Sequence, residues 1–250
     1  MAEEKRITLE IFRYDPEEDS EPKYESYEAP YQEHWVVLDA INWIRDEIDG
    51  SIAHRWSCRM GVCGSCGMMI NGDPKLSCNA LIREYAPGPI RVEPLQHFPV
   101  EKDLIVDLDV FMEKLNEVKP YVIRDNLEDT SGGEYRQLPS ELMRFKDHSM
   151  CINCMLCYAG CPVMRLHPGF LGPAALALGQ RYNLDSRDHG NAERIDAMSD
   201  EHGVWGCTFV GECSVVCPKH VDPAAAIQKA KVDAAKQWYL NLVTPKGAGK

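Results

Sequence analysis

Eleven cysteines dominate the chemistry open to this chain of 250 residues. They fall into three spaced groups. The first is Arg55-Trp-Ser-Cys58-Arg-Met-Gly-Val-Cys63-Gly-Ser-Cys66, joined by Cys78 after Pro74-Lys75-Leu76-Ser77. The second is the run Cys151-Ile-Asn-Cys154-Met-Leu-Cys157-Tyr-Ala-Gly-Cys161-Pro162. The third is Cys207-Thr-Phe-Val210-Gly-Glu-Cys213-Ser-Val-Val-Cys217-Pro218.

A C-x4-C-x2-C run followed later by a single Cys is the plant-type [2Fe–2S] spacing, which assigns Cys58, Cys63, Cys66 and Cys78 to one such cluster. Glycines between these ligands let the backbone come close to sulfur and point N–H groups at it. The second run fits C-x2-C-x2-C-x3-C-P, in which three thiolates share one cubane and the fourth crosses to a neighbouring cluster. Cys151, Cys154 and Cys157 are therefore expected to share a [4Fe–4S] cluster with Cys217, while Cys161 joins Cys207 and Cys213. Val210 stands where the third run would place its second cysteine, and valine cannot bind iron. A cubane corner without a ligand tends to lose its iron, so a [3Fe–4S] cluster is expected on Cys161, Cys207 and Cys213.

Zinc is the rival occupant, since CxxC pairs also hold tetrahedral zinc. Two interlocked runs ending in Cys-Pro, and glycines among the first ligands, favour iron and sulfide. Sets of four, four and three use every cysteine and leave no free thiol as a nucleophile. No GxGxxG, P-loop or Ser–His–Asp arrangement stands beside them. Fully ligated clusters carry electrons, so the chain reads as a relay. The [3Fe–4S] type suits the end nearest a mild redox partner.

The elements that must position these thiols divide into two kinds. Ile7, Leu9 and Ile11 alternate with polar residues as a strand, and Tyr24 to Ala29 is the expected return strand. Trp35 to Ile48 reads as a helix with Val37, Ile41, Ile44 and Ile48 on one face, ended by Gly50. Met68–Ile70 and Pro74–Cys78 flank Asn71-Gly72, a strong hairpin signal. Ile90, Val92 and Leu95 are expected to close the small sheet. Leu104, Leu108, Phe111, Leu115 and Val118 recur at helical spacing ahead of Pro120. Past Ser140 the texture is helical: Glu141–Lys146, Ala174–Tyr182 after Pro173, Asn191–Met198, and a last helix from Asp222-Pro223 to about Leu242. The reading is α+β: residues 1–120 a [2Fe–2S] domain, 121–139 a linker or surface loop, and 140–250 a helical domain carrying [4Fe–4S] and [3Fe–4S].

Charge and composition narrow the partners. The net charge is −12, from 27 basic and 39 acidic residues, and no long basic block argues for nucleic acid. The N-terminal ten residues carry no apolar signal core, and no stretch approaches the length needed to span a bilayer. The odd cysteine count in metal-site spacing argues for a reducing compartment. Any work at a membrane must therefore come through partners.

The chain resembles the iron–sulfur subunits of the succinate dehydrogenase and fumarate reductase family from end to end. The resemblance is carried by Arg55 to Gly67, Pro74-Lys-Leu-Ser-Cys, Phe98-Pro-Val, Cys151-Ile-Asn-Cys, Phe170-Leu-Gly-Pro-Ala, Asp185-Ser-Arg-Asp and Cys217-Pro-Lys-His-Val-Asp-Pro-Ala. Gly67-Met-Met and Asp185-Ser-Arg-Asp-His-Gly look most like fumarate reductases. The resemblance implies a plant-type ferredoxin domain with a β-grasp sheet, then a helical bacterial-ferredoxin-like domain. It implies a flavoprotein partner with covalent FAD and a hydrophobic membrane anchor that holds quinone, in some members with haem. The expected place is the cytoplasmic face of the bacterial inner membrane, and the expected path is flavin, [2Fe–2S], [4Fe–4S], [3Fe–4S], quinone. A non-cysteine at Val210 is also the family's pattern.

The resemblance maps a quinone site onto Thr208, Phe209, Gln228 and Lys231. Gln228 and Lys231 share a helical face, although a lysine there is equally a solvated surface residue by type. Ubiquinone-reacting members carry Trp and His where this chain has Leu166 and Thr208, which points to menaquinone. Trp205 and Trp238 read as packing or interface aromatics, and His220 as a local structural residue. A soluble multi-cluster ferredoxin is the competing function.

Overall fold

A computed structural model describes residues 5–124 and 131–243. The loop expected over 121–139 therefore lies in part, at 125–130, outside the described residues. The chain divides into two compact units: Met1–Val110 with Ile152–Gly160, and Phe111–Cys151 with Cys161–Lys250. The second unit is thus entered before the second cysteine run and left for the nine residues of Ile152–Gly160.

In the first unit, β1 (Arg6–Arg13) and β2 (Lys23–Pro30) pair antiparallel, and α1 (Val37–Glu47) follows. The hairpin β3 (Gly67–Ile70) and β4 (Asp73–Leu76) turns at Asn71 and Gly72, both at positive φ (51° and 86°). That is what a two-residue hairpin turn of this hand requires, and it is why Asn-Gly serves there. β5 (Ile90–Glu93) was expected to close the sheet. It lies inside it instead, parallel to β1 and antiparallel to β3, in the order β2-β1-β5-β3-β4. Ile90 and Val92 are fully buried accordingly.

The core lies between this sheet and α1: Ile7, Leu9 and Ile11 from β1, Val37, Ile41 and Ile44 from α1, with Met68, Ile70, Ile90 and Val92. Asp39 accepts the Val36 N–H (3.1 Å) at the start of α1, supplying one of the helix's orphan donors with a partner. Ile48, expected on the same apolar face, is exposed. It is the residue that ends α1, its N–H still on the Ile44 carbonyl (2.8 Å), and its side chain lies beyond the buried face.

The helix expected over Leu104 to Val118 also begins later. β6 (Val100–Lys102) and β7 (Ile105–Val106) form a small hairpin across Asp103, and α2 runs only Asp109–Glu117. Asp103 adopts positive φ (46°), and its buried carboxylate accepts Arg13 Nε (3.1 Å) and the backbone N–H groups of Tyr14 (3.0 Å) and Ala53 (2.9 Å). These bonds commit the residue to a turn, so Leu104 joins the sheet core and not a helix face. The periodicity was real for Phe111, Leu115 and Val118, which are buried.

The first unit also takes α4 (Leu156–Ala159), which follows the short α3 (Pro139–Met143) of the second unit. The rest of the second unit is helical: α5 (Pro162–Leu166), α6 (Pro173–Asn183), α7 (Asn191–Met198), α8 (Glu212–Val215) and α9 (Pro223–Val243). Buried Ala174, Ala175 and Ala177 on α6, and Ala226, Ala230 and Ala234 on α9, allow two helices in contact to pack through small side chains. Gln180, fully buried, donates to Asp233 (3.0 Å) across that contact. A buried ion pair fixes the loop before α7: Arg194 grips both oxygens of Asp188 (2.7 Å each) and donates to the carbonyls of Lys119 (2.9 Å) and Tyr121 (2.7 Å). Burial opposes the charge on Asp188, yet Arg194 and the N–H groups of Ile123 and Gly190 hold its carboxyl below the usual range.

Candidate iron–sulfur sites

The loop carrying Cys58, Cys63 and Cys66 is wound round sulfur. The N–H groups of Met60 (3.5 Å), Val62 (3.3 Å) and Cys63 (3.3 Å) converge on Cys58 Sγ, and the Cys58 N–H points at Cys63 Sγ (3.5 Å). Three donors on one sulfur favour its anion, and they bring the Cys58 thiol down to about 6. The winding needs left-handed backbone at Arg59, Gly61 and Gly64 (φ 56°, 65° and 78°).

Gly64 is also a close approach. A Cβ there would stand 2.9 Å from both the Cys154 Cβ and the Ile152 carbonyl oxygen. Cys66 and Cys78 are buried, and Ser77 ties them together by donating its N–H (3.0 Å) and hydroxyl (3.1 Å) to the Cys66 carbonyl. Burial, with Cys66 beside it, pushes the Cys78 thiol up to about 12. Four thiols held together, one of them in a cradle of N–H donors, fit a thiolate-ligated iron–sulfur cluster.

The helical unit holds a different kind of site. Cys161, Cys207 and Cys213 line one cavity together with Val163, Phe170, Thr208, Phe209 and Val210. It encloses about 350 Å³, part of it open to solvent. Cys161 caps the start of α5, Cys207 follows a turn of 3₁₀ helix at Val204–Gly206, and Cys213 lies in α8.

Burial raises the Cys161 thiol. It pushes Cys213 up to about 12, with Cys161 and Cys207 close enough to add to the effect. Among the described residues no three His, Cys, Asp or Glu side chains converge as the ligand set of a single metal ion. The cavity thiols surround a larger space, which suits a cluster of several irons.

The remaining cysteines divide between the units. Cys151 and Cys217 pack against Ala177, Val221 and Ala226, and the Val221 N–H points at Cys217 Sγ (3.4 Å). Cys154 and Cys157 are buried in the first unit, on a segment where Asn153 and Met155 take positive φ (53° and 63°) before α4.

The four residues mapped to quinone gather round Cys207. Thr208 and Phe209 line the cavity, and the Phe209 N–H points at Cys207 Sγ (3.4 Å). Gln228 Nε2 lies 3.8 Å from the same sulfur, and Lys231 Nζ donates to the Cys207 carbonyl (2.8 Å). Lys231 is therefore half-buried and tied to the loop of Cys207. Trp205 and Trp238 are exposed, so neither packs a core. His220 belongs to a turn, with positive φ (53°) and its N–H on the Cys217 carbonyl (3.2 Å).

Spacing alone does not reveal Ser77, Asn79 or Phe170. Asn79 stands where a side chain on Gly61 would strike it (2.6 Å), and the Cys78 thiol points at its Oδ1 (3.7 Å). Phe170 closes the cavity wall, packed so tightly on Gly206 that a Cβ there would meet its ring at 2.9 Å. Ser77 and Phe170 fall within the matched stretches Pro74-Lys-Leu-Ser-Cys and Phe170-Leu-Gly-Pro-Ala, the signal that would have found them.

Residues 8–113 match the model of a 2Fe-2S iron–sulfur cluster binding domain, and residues 147–221 that of a 4Fe-4S dicluster domain. With an N-terminal mixed sheet and a helical remainder, this defines an α+β iron–sulfur protein of two ferredoxin-like domains. The chain is 56% identical over 244 residues to the fumarate reductase iron–sulfur subunit of Mycobacterium tuberculosis (strain CDC 1551 / Oshkosh), covering 98% of this chain and 99% of that one. It is 48% identical over 257 residues to the corresponding subunit of Haemophilus influenzae, covering 99% and 100%. The succinate dehydrogenase iron–sulfur subunit of Coxiella burnetii is 36% identical over 234 residues, covering 92% and 98%. A solved structure described as the Mycobacterium smegmatis Sdh1 complex in the apo form superposes with a TM-score of 0.84 at 28% identity, covering 95% of this chain and 98% of that one. The chain belongs to the family of fumarate reductase and succinate dehydrogenase iron–sulfur subunits, and so to an oxidoreductase complex.

Proposed function

We propose that this subunit conducts electrons between FAD in a partner flavoprotein and quinone, most simply menaquinone, at a hydrophobic membrane anchor. In this reading Cys58, Cys63, Cys66 and Cys78 hold [2Fe–2S] within residues 1–120. Beyond a connection at 121–139, residues 140–250 carry the other two centres: Cys151, Cys154, Cys157 and Cys217 hold [4Fe–4S], and Cys161, Cys207 and Cys213 hold [3Fe–4S]. When bound, these clusters supply one-electron carriage between flavin and quinone. The dicarboxylate chemistry belongs to the flavoprotein.

The observation that carries the reading is the cavity of three thiols with Val210 among its lining residues and Gln228 and Lys231 drawn to Cys207. The protein's own part is to hold thiolates and to keep water from the centres. The Cys58 cradle does the first with backbone N–H groups, and Phe170 and Val163 contribute to the second. In this reading Lys231, now on the Cys207 carbonyl, offers a hydrogen bond and a proton to a quinone oxygen.

Contact with an anchor is supported by exposed apolar side chains at the cavity, Phe209 and Val210, at the end of α8, Val215, and at the end of α9, Trp238, Tyr239, Leu242 and Val243. Among the described residues no helix is long and apolar enough to cross a membrane, so attachment at the cytoplasmic face would come through the anchor.

The purified complex should show three distinguishable paramagnetic centres on stepwise reduction and faster turnover with menaquinol analogues than with ubiquinone. A single kind of centre would overturn the relay, and purification without a flavoprotein would return the chain to the ferredoxins. Lys231→Leu should cut quinone-linked turnover about tenfold or more while sparing dye-linked turnover, as loss of a charge-assisted hydrogen bond implies.

A further inference from the structure

Lys114 is a lysine on an apolar helix face. It lies three residues after Phe111 on α2, beside Leu115, and like them it is buried. None of the ion pairs among the described residues includes it. Its ammonium donates instead to two backbone carbonyls, those of Pro168 and of Phe170 (2.8 Å). The segment so gripped is a wall of the thiol cavity: Phe170 and Pro173 line it, and the Leu171 N–H is held by the His202 carbonyl (2.8 Å). A buried cation therefore stands one peptide group behind the space bounded by Cys161, Cys207 and Cys213.

We infer that Lys114 is a positioning residue that orients the Phe170 wall and whose charge raises the reduction potential of the centre held by Cys161, Cys207 and Cys213. The inference rests on the reading of that cavity as the [3Fe–4S] site. Iron–sulfur potentials respond to nearby net charge and to solvent exposure. Adding an electron makes the centre more negative, and a cation favours that form. A solvated charge would be screened, whereas a buried one is screened much less. Burial pulls the lysine toward its neutral form, and two carbonyl acceptors with the field of Glu117 oppose that pull. Glu212, which also lines the cavity, is exposed and hence screened.

The test is a potentiometric titration of the intact complex, followed by electron paramagnetic resonance, for wild type, Lys114→Met and Lys114→Arg. Methionine nearly keeps the volume and removes the charge. The equilibrium constant for reducing the [3Fe–4S] centre should fall at least tenfold, a downward shift of about 59 mV or more. The other two centres should stay in place, and arginine should hold the wild-type potential. An unchanged potential in Lys114→Met, with the signal intact, overturns the inference. A wild-type complex with no such signal overturns the reading of the cavity instead. If methionine loses the centre, Lys114→Gln, which still donates to one carbonyl, is titrated in its place. Loss of the centre in both neutral variants makes Lys114 a wall support only and overturns its role in the potential.

Discussion

The loop round Cys58 and the cavity round Cys213 hold thiols by opposite means. The loop works through its backbone: three N–H groups point at one sulfur, and left-handed residues make the winding possible. The cavity works mainly through side chains: Phe170, Val163 and Ile227 line it with Cys161 and Cys213, whose thiols burial pushes away from ionisation, and one N–H, that of Phe209, points at Cys207 Sγ. A thiolate in the loop is stabilised before any iron arrives. In the cavity the Cys161 and Cys213 thiolates are costly until iron compensates them. The loop site should therefore be sensitive to backbone geometry and tolerant of side-chain trimming, and the cavity site the reverse.

The largest expected effect is on the cavity wall. Phe170→Ala removes a buried ring from a site that backbone on both sides holds in place, and should cost about 3–5 kcal/mol of stability. Calorimetry of the complex would read the loss, and the [3Fe–4S] signal should fall while the [2Fe–2S] signal holds. Equal loss of both signals would remove the distinction between the two regions.

The converse change is Gly64→Ala. It places a side chain at φ 78° and 2.9 Å from the Ile152 carbonyl oxygen. The left-handed conformation alone costs about 1–2 kcal/mol, and the clash with backbone adds to it. Here the [2Fe–2S] signal should diminish first. An unaltered [2Fe–2S] signal and melting profile would show that the loop does not depend on its backbone path.

Much of this was readable in advance, and the exceptions share a cause. Alternation at Ile7, Leu9 and Ile11, the Asn71-Gly72 turn, and Pro173 and Pro223 at helix starts are local signals, and the corresponding elements form. Cysteine spacing is local too, and it names which thiols to consider. What local signals miss is pairing over long separations. Asp103 turns the chain because Arg13, ninety residues earlier, binds its carboxylate. β5 enters the middle of the sheet because β1 and β3 leave a place between them. Lys114 and Phe170 matter to the cavity through a contact 56 residues apart in the chain.

The smallest effect expected is at the start of α9, the helix that brings Gln228 and Lys231 to Cys207. Asp222 accepts the Ala225 N–H (3.1 Å) and the Ser214 hydroxyl (2.6 Å), and Ser214 Oγ accepts the Ala224 N–H (3.1 Å). This cap joins α8, which carries Cys213, to α9, so it belongs to the cavity's side-chain scaffold and has no counterpart in the loop. The Ser214 hydroxyl first, then the Ala225 N–H with His148 and Lys229, hold the Asp222 carboxyl below its ordinary value of 3.8. A carboxyl depressed in the folded state stabilises at pH above its unfolded value and loses that contribution as pH falls through the folded one. Asp222→Ala should therefore cost about 1 kcal/mol at neutral pH, and the difference from wild type should shrink as the pH is taken below about 4. Denaturation midpoints at pH 7 and in acid would measure it. A difference that stays constant would mean that the carboxylate's charge contributes nothing and that shape alone makes the cap.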